Sequence, residues 1–310
     1  MVNVVRRSIL VLVVAVWAAH AQAQARIDSN VVYGMYSGLA LLMDVHYPQR
    51  PNGFGVLCVP GSGWNAPLGY DASALKDGAE GDGFAKTVMD AGYTLFVVNH
   101  RASPRFQYPA GVDDVQRAVR FVRANAARFG IQPNQLGALG SSSGGHLVSM
   151  LGVLDGTGDP DDVDPINRLS SKVQAVVALF TPFDLKRVNT PRGGPAVALF
   201  TGARNVLTDN TPRTTPESKR YAAASPITYL TADDPPFLLF HGDADETVPF
   251  EQSQLMEAGL KHLGVVVKFV PVQGGRHGSN FQLKTDDPRL PAYFKQAADW
   301  FDTHLRKSSH

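Results

Sequence analysis

The sequence predicts an α/β fold with a mostly parallel central sheet that helices cover on both faces. Three observations lead to this prediction. Apolar runs typical of buried strands alternate with amphipathic runs typical of helices along most of the 310 residues. The series starts with a hairpin and continues as strand, helix, strand, which is the order of a parallel sheet with crossover helices. The strands do not separate into two sets, so we expect one domain.

The first elements justify this order. "VVYGM" and "LALLMDVHY" are strand-like runs on either side of "YSG", so they form an N-terminal antiparallel hairpin. "GVLCVP" is a buried strand, "GFAKTVMDAG" is a short helix that ends at Gly92, and "YTLFVVNHR" is a strand. "DDVQRAVRFVRANAARFG" is a long amphipathic helix that ends at Gly130.

The second half continues the alternation. The strand "QLGALG" leads into three serines and the helix "GGHLVSMLGVL". Three more strands are predicted at "VQAVVALFTP", "PPFLLFHGDAD" and "VVVKFVPV", and two helices at "EQSQLMEAGLKHLG" and "AYFKQAADWFDTHL". Residues 186–221 are irregular and rich in Pro, Thr, Gly and Arg. We interpret them as an inserted cap over the functional site, because long insertions often serve as lids; a surface excursion without function is the alternative.

The N-terminus predicts export. Residues 1–25 combine Arg6 and Arg7, an apolar stretch and the small residues of "AHAQAQA", which is the pattern of a signal peptide cleaved after Ala25, with Ala23 as the alternative. No later segment resembles a membrane span, so we expect a secreted or periplasmic domain over 26–310. The net charge of +1 argues against a nucleic-acid partner, which needs a basic face.

The stretch "LGALGSSSGGHLVSM" carries the first chemical signal, since it joins a predicted strand to a predicted helix. A nucleophile on such a tight turn needs small residues two positions before and after it, which gives the pattern G-x-S-x-G. Of the three serines only Ser142 has glycine at both places, Gly140 and Gly144. We therefore predict that Ser142 is a nucleophile. A Gly/Ser-rich turn that caps the helix is the alternative.

A base and an acid should follow in the order Ser, Asp or Glu, His. His277 lies in the glycine-rich loop "QGGRHG" after the last predicted strand, where α/β sites assemble, and is the predicted general base. His146, on the nucleophile's own helix, is predicted to pack or hydrogen-bond instead. The loop "FHGDADETVP" favours Asp245 as the acid, because the loop lies between Gly242 and Pro249 and a following helix would fix its geometry. Asp184, after the preceding strand, stays open as an alternative.

Acyl transfer also needs an oxyanion hole, a set of N–H groups aimed at the developing negative charge. One N–H belongs to the residue after the nucleophile, Ser143, and the others belong to the loop "VPGSGWN" after the third strand. Its glycines allow the backbone to approach a substrate closely. We predict Ser62, Gly63 and Ser143 as donors. Trp64 is predicted to line the acyl pocket, with simple packing as the alternative.

The ordered set "PGSGW", "GSSSGGHL", "SPITYL", "PPFLLFHGDADETVP" and "GGRHG" resembles the α/β-hydrolase esterases, and most of all their feruloyl, acetyl and hormone-sensitive-lipase-like carboxylesterase branch. The resemblance covers about residues 30–305. It implies a serine carboxylesterase with Ser142, Asp245 and His277 as triad and without a metal or organic cofactor. The substrate it implies is a small-molecule or polysaccharide-linked ester, such as an acetyl or feruloyl ester. It also supports Asp245 over Asp184.

Two positions depart from the family's pattern. The family usually has H-G-G-G before the tryptophan, whereas this chain has Pro60, Gly61, Ser62 and Gly63, so the histidine that braces the loop is missing. Ser143 replaces a usual alanine and adds a hydroxyl beside the nucleophile. Two other classes of protein stay open at this stage: an exopeptidase of the prolyl-oligopeptidase type, and a hydrolase-fold binding protein without catalysis.

Overall fold

The computed structural model describes residues 26–79, 82–203, 212 and 214–306, so the predicted signal peptide lies outside the described residues. The strands are β1 (Arg26–Tyr36), β2 (Leu39–Tyr47), β3 (Gly55–Val59), β4 (Thr94–Val98), β5 (Leu136–Ser141), β6 (Ala175–Leu179), β7 (Phe237–Gly242) and β8 (Val267–Val272). The helices are α1 (Gly83–Asp90), α2 (Ala110–Ala124), α3 (Ala126–Phe129), α4 (Ser143–Val153), α5 (Gly193–Thr201), α6 (Pro216–Ala223), α7 (Glu251–His262) and α8 (Leu290–Phe301).

The strands form one eight-stranded sheet in the order β1-β2-β4-β3-β5-β6-β7-β8. The hairpin β1–β2 is antiparallel, and β2 also pairs antiparallel with β4. Every other pair in the sheet is parallel. The predicted fold class, a mostly parallel sheet with an N-terminal antiparallel hairpin, is therefore confirmed.

The central strands carry apolar residues on both faces of the sheet. Helices therefore pack against both faces. Every residue of β3 is buried. Leu57 belongs to the apolar cluster that contains Val115 of α2, whereas Val56 belongs to the cluster that contains Phe84 of α1 and Phe301 of α8. Neighbouring residues of a strand point to opposite faces, so an uninterrupted apolar run supplies both cores.

The described part of residues 186–223, which includes most of the predicted cap, contains two helices that the sequence did not reveal, α5 and α6. Helix α5 buries one side, but its other side is also apolar, with Leu199 38% exposed, so it lacks the polar face of a surface helix. Helix α6 begins with Pro216, and the Thr215 side chain accepts the N–H of Ser218 as an N-cap. In the described ranges no helix has the length and apolar character needed to cross a bilayer.

Candidate active site

Three predicted residues meet at the carboxyl edge of the parallel strands. Ser142 follows β5, Asp245 follows β7 and His277 follows β8. Ser142 Oγ lies 2.9 Å from His277 Nε2. On the other side of the ring, Asp245 Oδ2 lies 2.8 Å from His277 Nδ1. In this arrangement the imidazole can accept the serine proton, while the carboxylate orients the ring and stabilises its charged form.

The turn at Ser142 has the tight geometry that the G-x-S-x-G pattern predicts. Ser142 has φ 51° and ψ −121°, which is an unfavourable conformation for a residue with a side chain. A Cβ atom at Gly140 would lie 2.5 Å from the carbonyl oxygen of Gly144, and a Cβ atom at Gly144 would collide with the carbonyl oxygen of Val59. Glycine is therefore required at both places, and the Ser142 side chain projects from the edge of the sheet.

Asp245 is held in a fully buried position. Its Oδ1 accepts the N–H groups of Thr247 and Val248 at 2.8 Å and 2.9 Å, and its Oδ2 also lies 3.3 Å from His241 Nε2. Burial by itself raises the pKa of Asp245, but hydrogen bonds with His241, His277 and the Val248 N–H outweigh burial and hold that pKa well below its usual value. Asp245 is thus a fixed negative charge beside the ring.

Asp184, the alternative acid, lies elsewhere. Its Oδ1 accepts the N–H of Lys186 at 3.1 Å, and its Oδ2 lies 3.3 Å from Arg187 Nε. Its side chain caps a short helical turn after β6. The contact with His277 is therefore made by Asp245 and not by Asp184, as the resemblance implied.

His146 and Trp64 form a buried polar contact beneath the glycine-rich loop. Trp64 Nε1 donates to His146 Nδ1 at 3.1 Å, so His146 donates its Nε2–H to the carbonyl oxygen of Ala224 at 2.6 Å. The indole stacks on Phe200 of α5 with 4.5 Å between ring centroids, and only 3% of Trp64 is exposed. Trp64 does not line the cavity beside Ser142. The predicted acyl-pocket role is wrong for Trp64, and the packing alternative describes it.

The predicted oxyanion donors differ from one another. The N–H of Ser62 donates to Ser143 Oγ at 2.8 Å. The N–H of Gly61 donates to Ser141 Oγ at 3.1 Å. Among the described residues no acceptor receives the N–H groups of Gly63 and Ser143. The expectation that the Ser62 N–H faces the substrate is therefore corrected, because the hydroxyl that departs from the family's pattern accepts it.

A cavity of about 230 Å³ opens beside Ser142. Its lining combines the glycine-rich loop, the nucleophile turn, the start of α1 and the loop after β8. The lining residues are Gly61, Ser62, Gly63, Gly78, Asp82, Phe84, Ser141, Ser142, Leu179, Phe180, His277, Gly278, Ser279 and Asn280. The cavity is thus polar near the loops and apolar against the sheet.

Sequence reasoning missed several residues of this lining, among them Phe180 and Asn280. Phe180 has φ 39°, and its ring meets the His277 ring edge to face with 4.8 Å between centroids. It follows β6 at the carboxyl edge of the sheet, a position that could have identified it. Asn280 has φ 52° and begins a run of left-handed residues that no sequence pattern indicates.

Comparison with known proteins shows a family and several relatives that this chain resembles. The BD-FAE family matches residues 43–260. The "Probable carboxylic ester hydrolase LipM" of Mycobacterium tuberculosis is 32% identical over 73% of this chain and 50% of its own length. The solved "Truncated form of carbohydrate esterase from gut microbiota" has a TM-score of 0.72 and 28% identity, covering 92% of this chain and 98% of that chain. The "Acetylxylan esterase" of Xylanibacter ruminicola is 34% identical over 34% of this chain and 20% of its own length.

The sheet has the strand order and connections of an α/β-hydrolase fold, and the relatives that the chain resembles are esterases. More narrowly, the chain belongs to the BD-FAE family. The resemblance inferred from the ordered motifs is thereby confirmed. The chain spans about half the length of the curated relatives it matches.

Proposed function

We propose that the protein is a carboxylic ester hydrolase that forms an acyl-enzyme on Ser142. The observation that carries this proposal is the continuous line of hydrogen bonds from Ser142 through His277 to Asp245 at the edge of a cavity. The relatives named as a carboxylic ester hydrolase and a carbohydrate esterase support the same chemistry.

The proposed reaction has two proton-balanced halves. As Ser142 Oγ attacks the ester carbonyl carbon, His277 Nε2 takes the serine proton; it then returns this proton to the departing alcohol as the tetrahedral intermediate collapses. Water next attacks the acyl-enzyme carbonyl carbon and gives a proton to His277, which returns it to Ser142 Oγ as the acyl–oxygen bond breaks and the acid leaves. The N–H groups of Gly63 and Ser143 stabilise the oxyanion in both halves.

The cavity favours a short acyl group on a hydroxyl-rich alcohol. Its volume of about 230 Å³ is small, given that sites for drug-sized ligands start at roughly 300 Å³. Ser62 Oγ and Asn280 Oδ1 are buried without a hydrogen-bond partner in the described part of the chain. The Asp82 carboxylate also lines the cavity. Such groups can bind hydroxyls, so we propose an acetyl-type ester of a polysaccharide, with aryl acyl groups such as feruloyl as poorer substrates.

Hydrolysis of p-nitrophenyl acetate by the wild type and by Ser142→Ala tests the proposal. We expect the variant to lose on the order of 10⁶-fold in kcat, because the nucleophile is removed. Ser149→Ala is the matched control, since Ser149 is a buried serine on α4 whose Oγ bonds only to its own helix at Gly145. Esters of longer acids should react progressively more slowly. A Ser142→Ala enzyme with wild-type rate would exclude this serine.

Two further assays separate the alternative classes. An aminoacyl-anilide hydrolysed faster than any ester would favour an exopeptidase. Binding of an acetylated polysaccharide without hydrolysis would favour a binding protein.

We also propose export, on the signal-peptide pattern of residues 1–25. Expression of the full chain in a secreting bacterial host should give a protein that begins at Arg26 outside the cytoplasm. N-terminal sequencing of the fractionated protein measures this. An uncleaved cytoplasmic chain would contradict the proposal.

A further inference from the structure

The glycine-rich loop lies directly on the turn that carries the nucleophile. A Cβ atom at Gly61 would lie 2.9 Å from the carbonyl oxygen of Ser141 and 3.0 Å from Ser142 Cβ. The loop backbone and the turn are therefore in van der Waals contact. Because of this contact, hydrogen bonds from the loop N–H groups to acceptors on the turn can set the direction of the peptide groups in the loop.

Both neighbours of the nucleophile offer a hydroxyl to this loop. Ser141 Oγ accepts the N–H of Gly61 at 3.1 Å, and Ser143 Oγ accepts the N–H of Ser62 at 2.8 Å. Only 1% of Ser143 is exposed, and its Oγ is in hydrogen-bond contact with the loop. Its hydroxyl therefore faces the loop and not a substrate. Two consecutive N–H groups are thus bound to the serines on either side of Ser142.

We propose that Ser141 and Ser143 are positioning residues for the oxyanion hole. By fixing the two preceding peptide groups, their hydroxyls set the direction of the next N–H along the chain, that of Gly63, toward the reacting carbonyl at Ser142. This role rests on the proposed ester hydrolysis. In this proposal Ser142 reacts with the substrate, and Ser141 and Ser143 hold the loop in position.

The residue at the start of the loop explains why the hydroxyls are needed. Pro60 has no N–H, and its side chain can neither donate nor accept a hydrogen bond. It occupies the place where the esterases that this chain resembles carry a bracing histidine. The turn therefore supplies, through Ser141 and Ser143, hydrogen bonds at the start of the loop that Pro60 cannot make.

Kinetics of Ser143→Ala and Ser141→Ala test the proposal, with Ser149→Ala as the matched control. In Ser143→Ala the N–H of Ser62 loses its acceptor and the loop can turn, so we expect kcat for p-nitrophenyl acetate to fall roughly 10- to 100-fold with little change in KM. Ser141→Ala should show a smaller loss, because its hydrogen bond is longer and less buried. Ser149→Ala should keep the wild-type kcat.

The matching thionoester distinguishes loss of the oxyanion hole from general damage. Sulfur is a weak hydrogen-bond acceptor, so weaker donors should slow the oxygen ester more than the thionoester. A Ser143→Ala enzyme that keeps or exceeds the wild-type kcat would overturn the proposal, as would an equal loss on both esters. If Ser143→Ala does not fold, Ser141→Ala carries the same test. Failure of the proposed function would look different from failure of this positioning role. In that case the wild type would hydrolyse no ester, or Ser142→Ala would remain active.

Discussion

The acid–base half and the oxyanion half of the candidate site are built from different parts of the chain. The acid–base half consists of side chains, and the buried carboxylate of Asp245 fixes the ring of His277. The oxyanion half consists of backbone N–H groups in a loop that contacts the nucleophile turn. Side-chain function follows from residue type and chain order, whereas the direction of a peptide group depends on the local packing around it.

The largest loss of kcat is expected from a substitution in the acid–base half. Asp245→Asn removes the charge that orients and stabilises His277, so kcat should fall about 10⁴-fold with little change in KM. Steady-state kinetics on p-nitrophenyl acetate measure the loss. Asp184→Asn is the matched control, because Asp184 is a carboxylate in a neighbouring loop that contacts Arg187 and not His277. Equal losses in both variants would refute the assignment of Asp245.

A smaller effect is expected in the oxyanion half, whose hydrogen-bond donors are backbone N–H groups. Gly63 has φ 63°, so Gly63→Ala strains the loop and turns its N–H away from Ser142. We expect kcat to fall roughly 10- to 100-fold. Gly53→Ala is the matched control, since Gly53 has φ 83° with open space for a Cβ atom. Both variants should lose about 1 kcal/mol of unfolding free energy.

Thermal unfolding and kinetics together test this pair. If Gly53→Ala also lost activity, the effect would follow from stability and not from the direction of the Gly63 N–H. If neither variant lost activity, the oxyanion half would not depend on this peptide group.

The sequence was sufficient to place the strands of the sheet, the tight turn at Ser142 and the loop of His277, because each leaves a local pattern: apolar runs, Gly140 and Gly144 around Ser142, and glycines around His277. The acid needed the resemblance, since several loop carboxylates satisfied the chain order. The Ser62 N–H was misassigned because its partner, the Ser143 hydroxyl, lies far from it along the chain. Trp64 was misassigned for the same reason, since Phe200 and His146 bury it.

The smallest expected effect is a change in the free energy of unfolding caused by His146, which contacts Trp64 beneath the oxyanion half. Burial lowers the pKa of His146 to about 4, whereas in the unfolded chain it is about 6.5. Between these values the unfolded chain binds more protons, so the free energy of unfolding falls as the pH decreases. Protonation of His146 would also remove the hydrogen bond in which Nδ1 accepts the Trp64 N–H. His146 should therefore contribute a loss of about 1 kcal/mol between pH 7 and pH 5.5.

Urea unfolding of His146→Gln at the two pH values measures this contribution. The variant should be less stable than the wild type at pH 7, because a buried hydrogen-bonded ring is replaced, but its stability should depend less on pH. His262→Gln, a change at an exposed histidine on α7, should keep the wild-type dependence. An unchanged dependence in His146→Gln would mean that the ring beneath Trp64 is not the group that titrates.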